Sequence, residues 1–329
     1  LRPGDVLLTN DPWHGTGHLN DFTVVTPVFK DQRVVALFAA TSHIADVGGL
    51  GFGPDGRQVF EEGLNIPMGY LFRQGRPNEV LLEIIRANVR DPYAAEGDLH
   101  SLAACNQAGA ESLLETLEEF GIAGLEGVAD AIIRQSRDAM LAEIRELPPG
   151  SWHNVMRIDG YDEPVDLACT LSIGSTGIDV DFSGTSAVCA HGINVPLTYT
   201  QAYASFGVRC VVGNDVPNNA GSLEVVRVTA PQGCILNAPR PAAVSARHAI
   251  GQMLPDVVLG CLEQPLGGRV PAEGASCLFG PVFLGGRGLI AGSCGEPFVV
   301  NAFYAGGTGG RPGKDGLDCT AFPLSLIHI

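Results

Sequence analysis

The chain has no basic stripe, no apolar run of membrane-spanning length and no charged-then-apolar leader at its start. A net charge of −16 without clustered Lys or Arg offers little to a phosphate backbone, so nucleic-acid binding is disfavoured. The missing apolar run excludes a transmembrane helix, and a cytoplasmic location is expected. Nine cysteines stand at 105, 169, 189, 210, 234, 261, 277, 294 and 319, with no C-x-x-C among them. An odd, scattered set reads as small buried thiols, not as a disulfide framework.

Phosphate-loop and nucleophile-elbow motifs are missing too. GRPGKD at 310–315 resembles the end of a Walker A loop, but Thr308 stands where the first Gly belongs and Asp315 replaces the required Ser or Thr. AGSCGE at 291–296 lacks the first Gly of an elbow. The formal G-x-G-x-x-G at Gly51, Gly53 and Gly56 follows about ten loop residues, and Pro54–Asp55 marks a turn, so it is no dinucleotide fingerprint. There is no internal repeat of fixed period.

What is present suits a large folded unit. The 329 residues are 45% hydrophobic, and Gly 43 with Pro 22 makes about a fifth of the chain, which implies many turns. Strands are expected at 22–29 and 33–40, joined by Lys30–Asp31–Gln32. Helices are expected after Pro77–Asn78, over 94–120 with Asp98 near its start, and over 127–146. Beyond Pro148–Pro149–Gly150 the pattern changes to strands at 152–159, 165–173, 177–182 and 223–228, with helices at 196–212 and 241–262. The expected class is α+β, with mixed, largely antiparallel sheets and several long helices. The expected organisation is 1–150, a hairpin plus helical region, and 151–323, a strand-rich region. Residues 324–329, LSLIHI, back-translate to a transposase-adapter sequence and are expected to be a non-native tail.

Two H-x-x-D pairs, His18 with Asp21 and His43 with Asp46, flank the expected hairpin. Antiparallel pairing brings the residues before its first strand beside those after its second, so all four are expected to converge at one end. Two imidazoles and a carboxylate suit a divalent cation; without thiolate, the set fits Zn, Mn or Fe and argues against a closed structural zinc site. His18, Asp21 and His43 are the candidate metal ligands; the plainer reading of the same residues is polar loop groups capping strand ends. Asp46 and Asp11 are the candidate catalytic carboxylates. Asp46 is either a fourth ligand or an acceptor that fixes an imidazole tautomer; Asp11 either holds the turn before Pro12 or orients the ligands. His14 and His191 read as loop residues.

PGDVLLTNDPWHGTGHLNDFTVVTPVF at 3–29, SHIADVGG at 42–49, EEGLNIP at 61–67, GDL at 97–99, VDFSGTS at 180–186, PQGCILNAPRPAAV at 231–244 and the closing GG-T-GG…DG occur collinearly. Together they resemble the hydantoinase B/5-oxoprolinase family, which includes acetone carboxylase α subunits. Where the family commonly reads N-D-P-Y-x-G-G-x-H, this chain has Trp13 and an extra His14. The resemblance implies a fragment of a longer chain. It also implies a metal-dependent B-type subunit of an ATP-dependent cyclic amidohydrolase that opens hydantoin or 5-oxoproline rings. ATP would be used by an A-type partner subunit. The alternatives are the α subunit of an ATP-dependent ketone carboxylase and a non-catalytic assembly subunit.

Overall fold

The computed structural model describes residues 1–274, 282–285, 298–301 and 306–318. The 291–296 run and the 324–329 tail lie outside them. The fold is α+β with largely antiparallel sheets, as expected.

Strand β1 (Val6–Thr9) leads into β2 (Asp21–Lys30) and β3 (Arg33–His43). The β2–β3 turn places Asp31 (φ 50) and Gln32 (φ 64) in the left-handed region, the backbone of a tight hairpin connection. Pairing then runs from Lys30↔Arg33 to Asp21↔His43. The hairpin's open end therefore sets a carboxylate opposite an imidazole. Strands β4 (Gly69–Arg73) and β5 (Arg76–Pro77) complete a five-stranded sheet of order β3-β2-β1-β4-β5.

Helices α1 (Glu79–Asn88) and α2 (Pro92–Glu119) pack together, and α2 lies against β2 and β3. The amide of buried Asn106 on α2 donates to the Val24 carbonyl at 2.9 Å, pinning helix to strand. The helix expected from residue 94 starts at Pro92. Proline is tolerated at the first helical position, and the Asp91 side chain accepts from Ala94 N. Asp98 is thereby placed inside α2 and not at its start. Leu8, Phe22, Val24, Leu71, Leu82, Ile85 and Leu99 form the core beneath this sheet, and Val244 reaches in from far along the chain.

Helix α3 (Glu126–Arg145) leads to a second sheet of β6 (Gly150–Ile158), β7 (Val165–Gly174), β8 (Gly177–Asp181) and β9 (Val226–Thr229). The β8–β9 pairing is parallel. The strand expected from Leu223 starts at Val226, because Asn219 caps the short helix α5 (Ala220–Leu223). Helix α4 (Leu197–Arg209) packs on β9 and on α7 (Leu254–Leu266), which itself covers β6 and β7. Their apolar faces make the larger core, with Phe182, Leu167, Leu171, Val208, Val258 and Leu262 buried. The helix expected over 241–262 is replaced by the single turn α6 (His248–Gly251) and by α7. Residues 241–247 form a turn whose Val244 and Ser245 N–H groups are taken by Glu62 instead of by a helical ladder. A further pair, β10 (Val282–Gly285) and β11 (Phe298–Asn301), is antiparallel.

Candidate metal centre

His18, Asp21 and His43 meet at the open end of the hairpin, each with one ligand-capable atom within 4.8 Å of the others. His18 and Asp21 are buried and His43 is half-buried. The Asp21 carboxylate divides its work between its two oxygens. Oδ2 accepts from Thr16 Oγ1 at 2.5 Å and from Arg247 Nη2 at 2.9 Å. Oδ1 faces both imidazoles, 2.7 Å from His18 Nε2 and 3.1 Å from His43 Nδ1.

Arg247, which none of the sequence motifs marks, is the cation of this cluster. Its Nε donates to the Thr16 carbonyl at 2.6 Å, and its guanidinium lies 4.4 Å from the centre of the Tyr199 ring. Gly17 makes room for it: a Cβ there would come within 2.6 Å of Arg247 Cδ, and φ of +98 already favours glycine. The sequence signal for Arg247 is slight, a lone Arg–His pair inside the apolar run AAVSARHAI.

Burial, with Arg247 beside it, pushes the His18 imidazolium pKa down to about 4, so the ring is neutral at pH 7. Burial works to raise Asp21, but the imidazoles and Arg247 outweigh it and hold the carboxyl well below its usual range. Asp21 thus offers an anionic oxygen and His18 a neutral ring, the protonation states a cation needs.

A cation fits these residues for one specific reason. His18 Nε2 is buried and faces Asp21 Oδ1 at 2.7 Å, with no further polar neighbour in hydrogen-bond geometry. Two ligands of a shared ion stand in that relation. At the other ring nitrogen, Nδ1 lies 3.3 Å from the Ser245 carbonyl and 3.0 Å from Arg247 Nη1. When Nδ1–H donates to Ser245, Nε2 is left with its lone pair free to ligate; when Nδ1 accepts from Arg247, Nε2 carries the proton and cannot. Phe52, from the glycine-rich loop after His43, covers both rings edge-on at 5.4 and 5.1 Å, and His248 stacks on it at 4.8 Å. Burial and Arg247 push the His248 pKa down to about 3.

The structure does not bring Asp46 or Asp11 into this group. Asp46 Oδ1 accepts from Arg90 Nη1 at 2.6 Å and from Gly48 N at 3.0 Å, and Oδ2 accepts from Arg90 N. Convergence of all four H-x-x-D residues is therefore corrected to three. The chain turns away after His43 through Gly48 and Gly49, both at positive φ. Asp11 holds a turn through Trp13 N at 2.9 Å and pairs with Arg240 at 2.6 Å. Arg240 also lies over the Trp13 ring, whose Nε1 donates to the Ala238 carbonyl at 2.7 Å. His14 is an exposed neighbour of Asp11, and His191 stacks on Tyr161 at 3.8 Å. The GRPGKD run closes as a turn, Arg311 bridging Lys314, and no helix follows it among the described residues.

The family model described as hydantoinase B/oxoprolinase matches residues 1–327. The chain belongs to that family. The uncharacterized protein MJ0963 of Methanocaldococcus jannaschii is 31% identical over 88% of this chain and 52% of its own length. The caprolactamase subunit beta of Pseudomonas jessenii is 27% identical over 83% of this chain and 48% of its own. In the crystal structure of the ATP-dependent caprolactamase of that organism, a chain superposes with TM-score 0.88 at 23% identity, over 97% of this chain and 56% of that one. A nucleotide-free acetone carboxylase structure gives TM-score 0.85 at 19% identity, over 98% and 45%. This hydantoinase B/oxoprolinase chain spans about half the length of these two relatives.

Proposed function

We propose that the chain is the B-type part of an ATP-dependent cyclic amidohydrolase, with His18, Asp21 and His43 holding one divalent cation. The observation that carries this is the convergence of the His18, Asp21 and His43 ligand atoms within 4.8 Å of one another at a buried end of the hairpin, in a chain similar to a caprolactamase subunit. When bound, a divalent cation supplies Lewis-acid polarisation of a substrate carbonyl. Zn, Mn or Fe suits the nitrogen and oxygen donors.

The protein's own residues do the rest. Arg247 and Thr16 fix the Asp21 carboxylate through Oδ2, which leaves Oδ1 directed at the imidazoles. Ser245 and Arg247 set the orientation of the His18 ring. Phe52 walls the site with an apolar edge, and a drier site strengthens every charge interaction within it. An A-type partner subunit would use ATP; the caprolactamase whose fold this chain shares is ATP-dependent. Hydantoin, 5-oxoproline or a lactam is the substrate class.

The test is reconstitution with an A-type partner. ATP-dependent ring opening of a cyclic amide is expected, lost with His18→Ala, while this chain alone turns over no ATP. Bicarbonate-dependent consumption of a ketone, with every cyclic amide left intact, would replace hydrolysis by carboxylation. ATP turnover by the isolated chain would refute the division of labour.

A further inference from the structure

We infer that Glu62 is a positioning residue for the metal centre, acting through the backbone of Ser245 on the ligating face of His18; this rests on the metal reading above. Glu62 ends the glycine-rich loop that carries Phe52, and it is only 2% exposed. Its Oε1 accepts from Val244 N at 2.7 Å and from Ser245 N at 2.8 Å. One carboxylate oxygen therefore holds the turn that leads into α6. The other, Oε2, has no hydrogen-bond partner among the described residues.

That turn presents two groups to the centre. The Ser245 carbonyl lies 3.3 Å from His18 Nδ1, and the Arg247 side chain reaches both His18 and Asp21. The Ser245 hydroxyl adds a bond to the Gly51 carbonyl at 3.3 Å, tying the turn to the Phe52 loop. At His18 Nδ1 a carbonyl acceptor and a guanidinium donor compete. The ring can offer Nε2 to a cation only when the carbonyl wins, because then Nδ1 carries the proton. Glu62 holds that carbonyl in place. Without it, the Val244 and Ser245 N–H groups lose their acceptor, the carbonyl drifts, and Arg247 takes Nδ1. Glu62 does not touch the proposed ion; it selects the imidazole tautomer that binds one.

Titrating Co(II) into the metal-free full chain, read by the visible absorption of the bound ion, tests this. Wild type is expected to bind and His18→Ala to fail. Glu62→Ala should bind about 10- to 100-fold more weakly, the usual cost of losing a ligand's supporting partner. Glu62→Gln keeps an oxygen that can accept both N–H bonds and should recover most of the affinity. If the Ala variant does not fold, Glu62→Asp, one methylene shorter, should fold and still bind Co(II) more weakly. Wild-type Co(II) affinity in a folded Ala or Asp variant, with His18→Ala inactive in binding, would overturn the role of Glu62 and leave the metal centre standing. The same holds if Glu62→Gln binds as weakly as Glu62→Ala. Absence of Co(II) binding by wild type would overturn both.

Discussion

Arg247 and Asp21 stand 226 residues apart in the chain, yet their side chains meet at 2.9 Å and both are almost wholly buried. The pair neutralises a carboxylate that otherwise faces the neutral His18 ring. Removing one partner of a buried ion pair leaves the other charge uncompensated, which costs roughly 3 kcal/mol or more. Arg247→Met should therefore lower the unfolding free energy of the metal-free protein by that order, read as a lower denaturant midpoint. Adding a divalent cation should recover part of the loss, because it binds the native state and supplies positive charge beside Asp21. An unchanged midpoint would show that Asp21 needs no guanidinium.

Metal content gives the second prediction. The purified chain should carry about one divalent cation, as for a single site of this ligand type. His18→Ala and His43→Ala should each remove it, as measured by elemental analysis. Full occupancy in the double variant would place the ion elsewhere.

Asp21 and Asp46 should separate cleanly. Asp21→Asn removes the anionic donor at the centre, so metal binding should be lost. Asp46→Asn weakens the clasp on Arg90 and Gly48 instead. Arg90 is partly exposed, so the stability loss should be only about 1 kcal/mol. Metal content should stay at one ion. Loss of metal in Asp46→Asn, with retention in Asp21→Asn, would reverse the two assignments.

The fourth prediction concerns pH. Burial raises the Glu62 carboxyl to about 7, with the Val244 and Ser245 N–H groups working against it. An acid whose folded pKa lies above its unfolded value of 4.5 holds its proton more tightly in the native state. Its contribution is complete below pH 4.5 and is lost as pH rises through 7. Relative to Glu62→Gln, which cannot ionise, wild type should lose on the order of 3 kcal/mol between pH 4.5 and pH 8. Parallel stability curves for the two proteins across that window would rule out a buried, titrating Glu62.

Sequence reasoning recovered what is local and periodic. The hairpin was legible because its two apolar runs and polar turn fix the register, and the register alone sets Asp21 against His43. His18 follows because it precedes Asp21 by only three residues. Asp46 was misplaced because the same H-x-x-D spacing sits beyond the strand, where Gly48 and Gly49 redirect the chain toward Arg90. Arg247, Ser245 and Glu62 were not legible. They reach the centre through docking of distant segments, and nothing in hydrophobic periodicity encodes a contact between residues 62 and 245. The apolar residues of 241–247 fit a helical period, but the Val244 and Ser245 N–H groups go to the buried Glu62 carboxylate and that of Ala246 to the Gly192 carbonyl.

The long separation between His18 and the turn at 244–247 also bears on how the protein comes to be. Local hairpin pairing is fast, whereas closing a loop of more than two hundred residues is slow and comes late. A chain emerging from the ribosome makes the β2–β3 hairpin long before Ser245 and Arg247 exist. During that interval Asp21 and His18 have neither guanidinium nor carbonyl to fix them, and Val244 is missing from the first core. A competent ion-binding pocket is then among the last parts of the native state to form. Metal uptake would then report completed folding, and a nascent chain stopped short of residue 244 should have the hairpin without the ion.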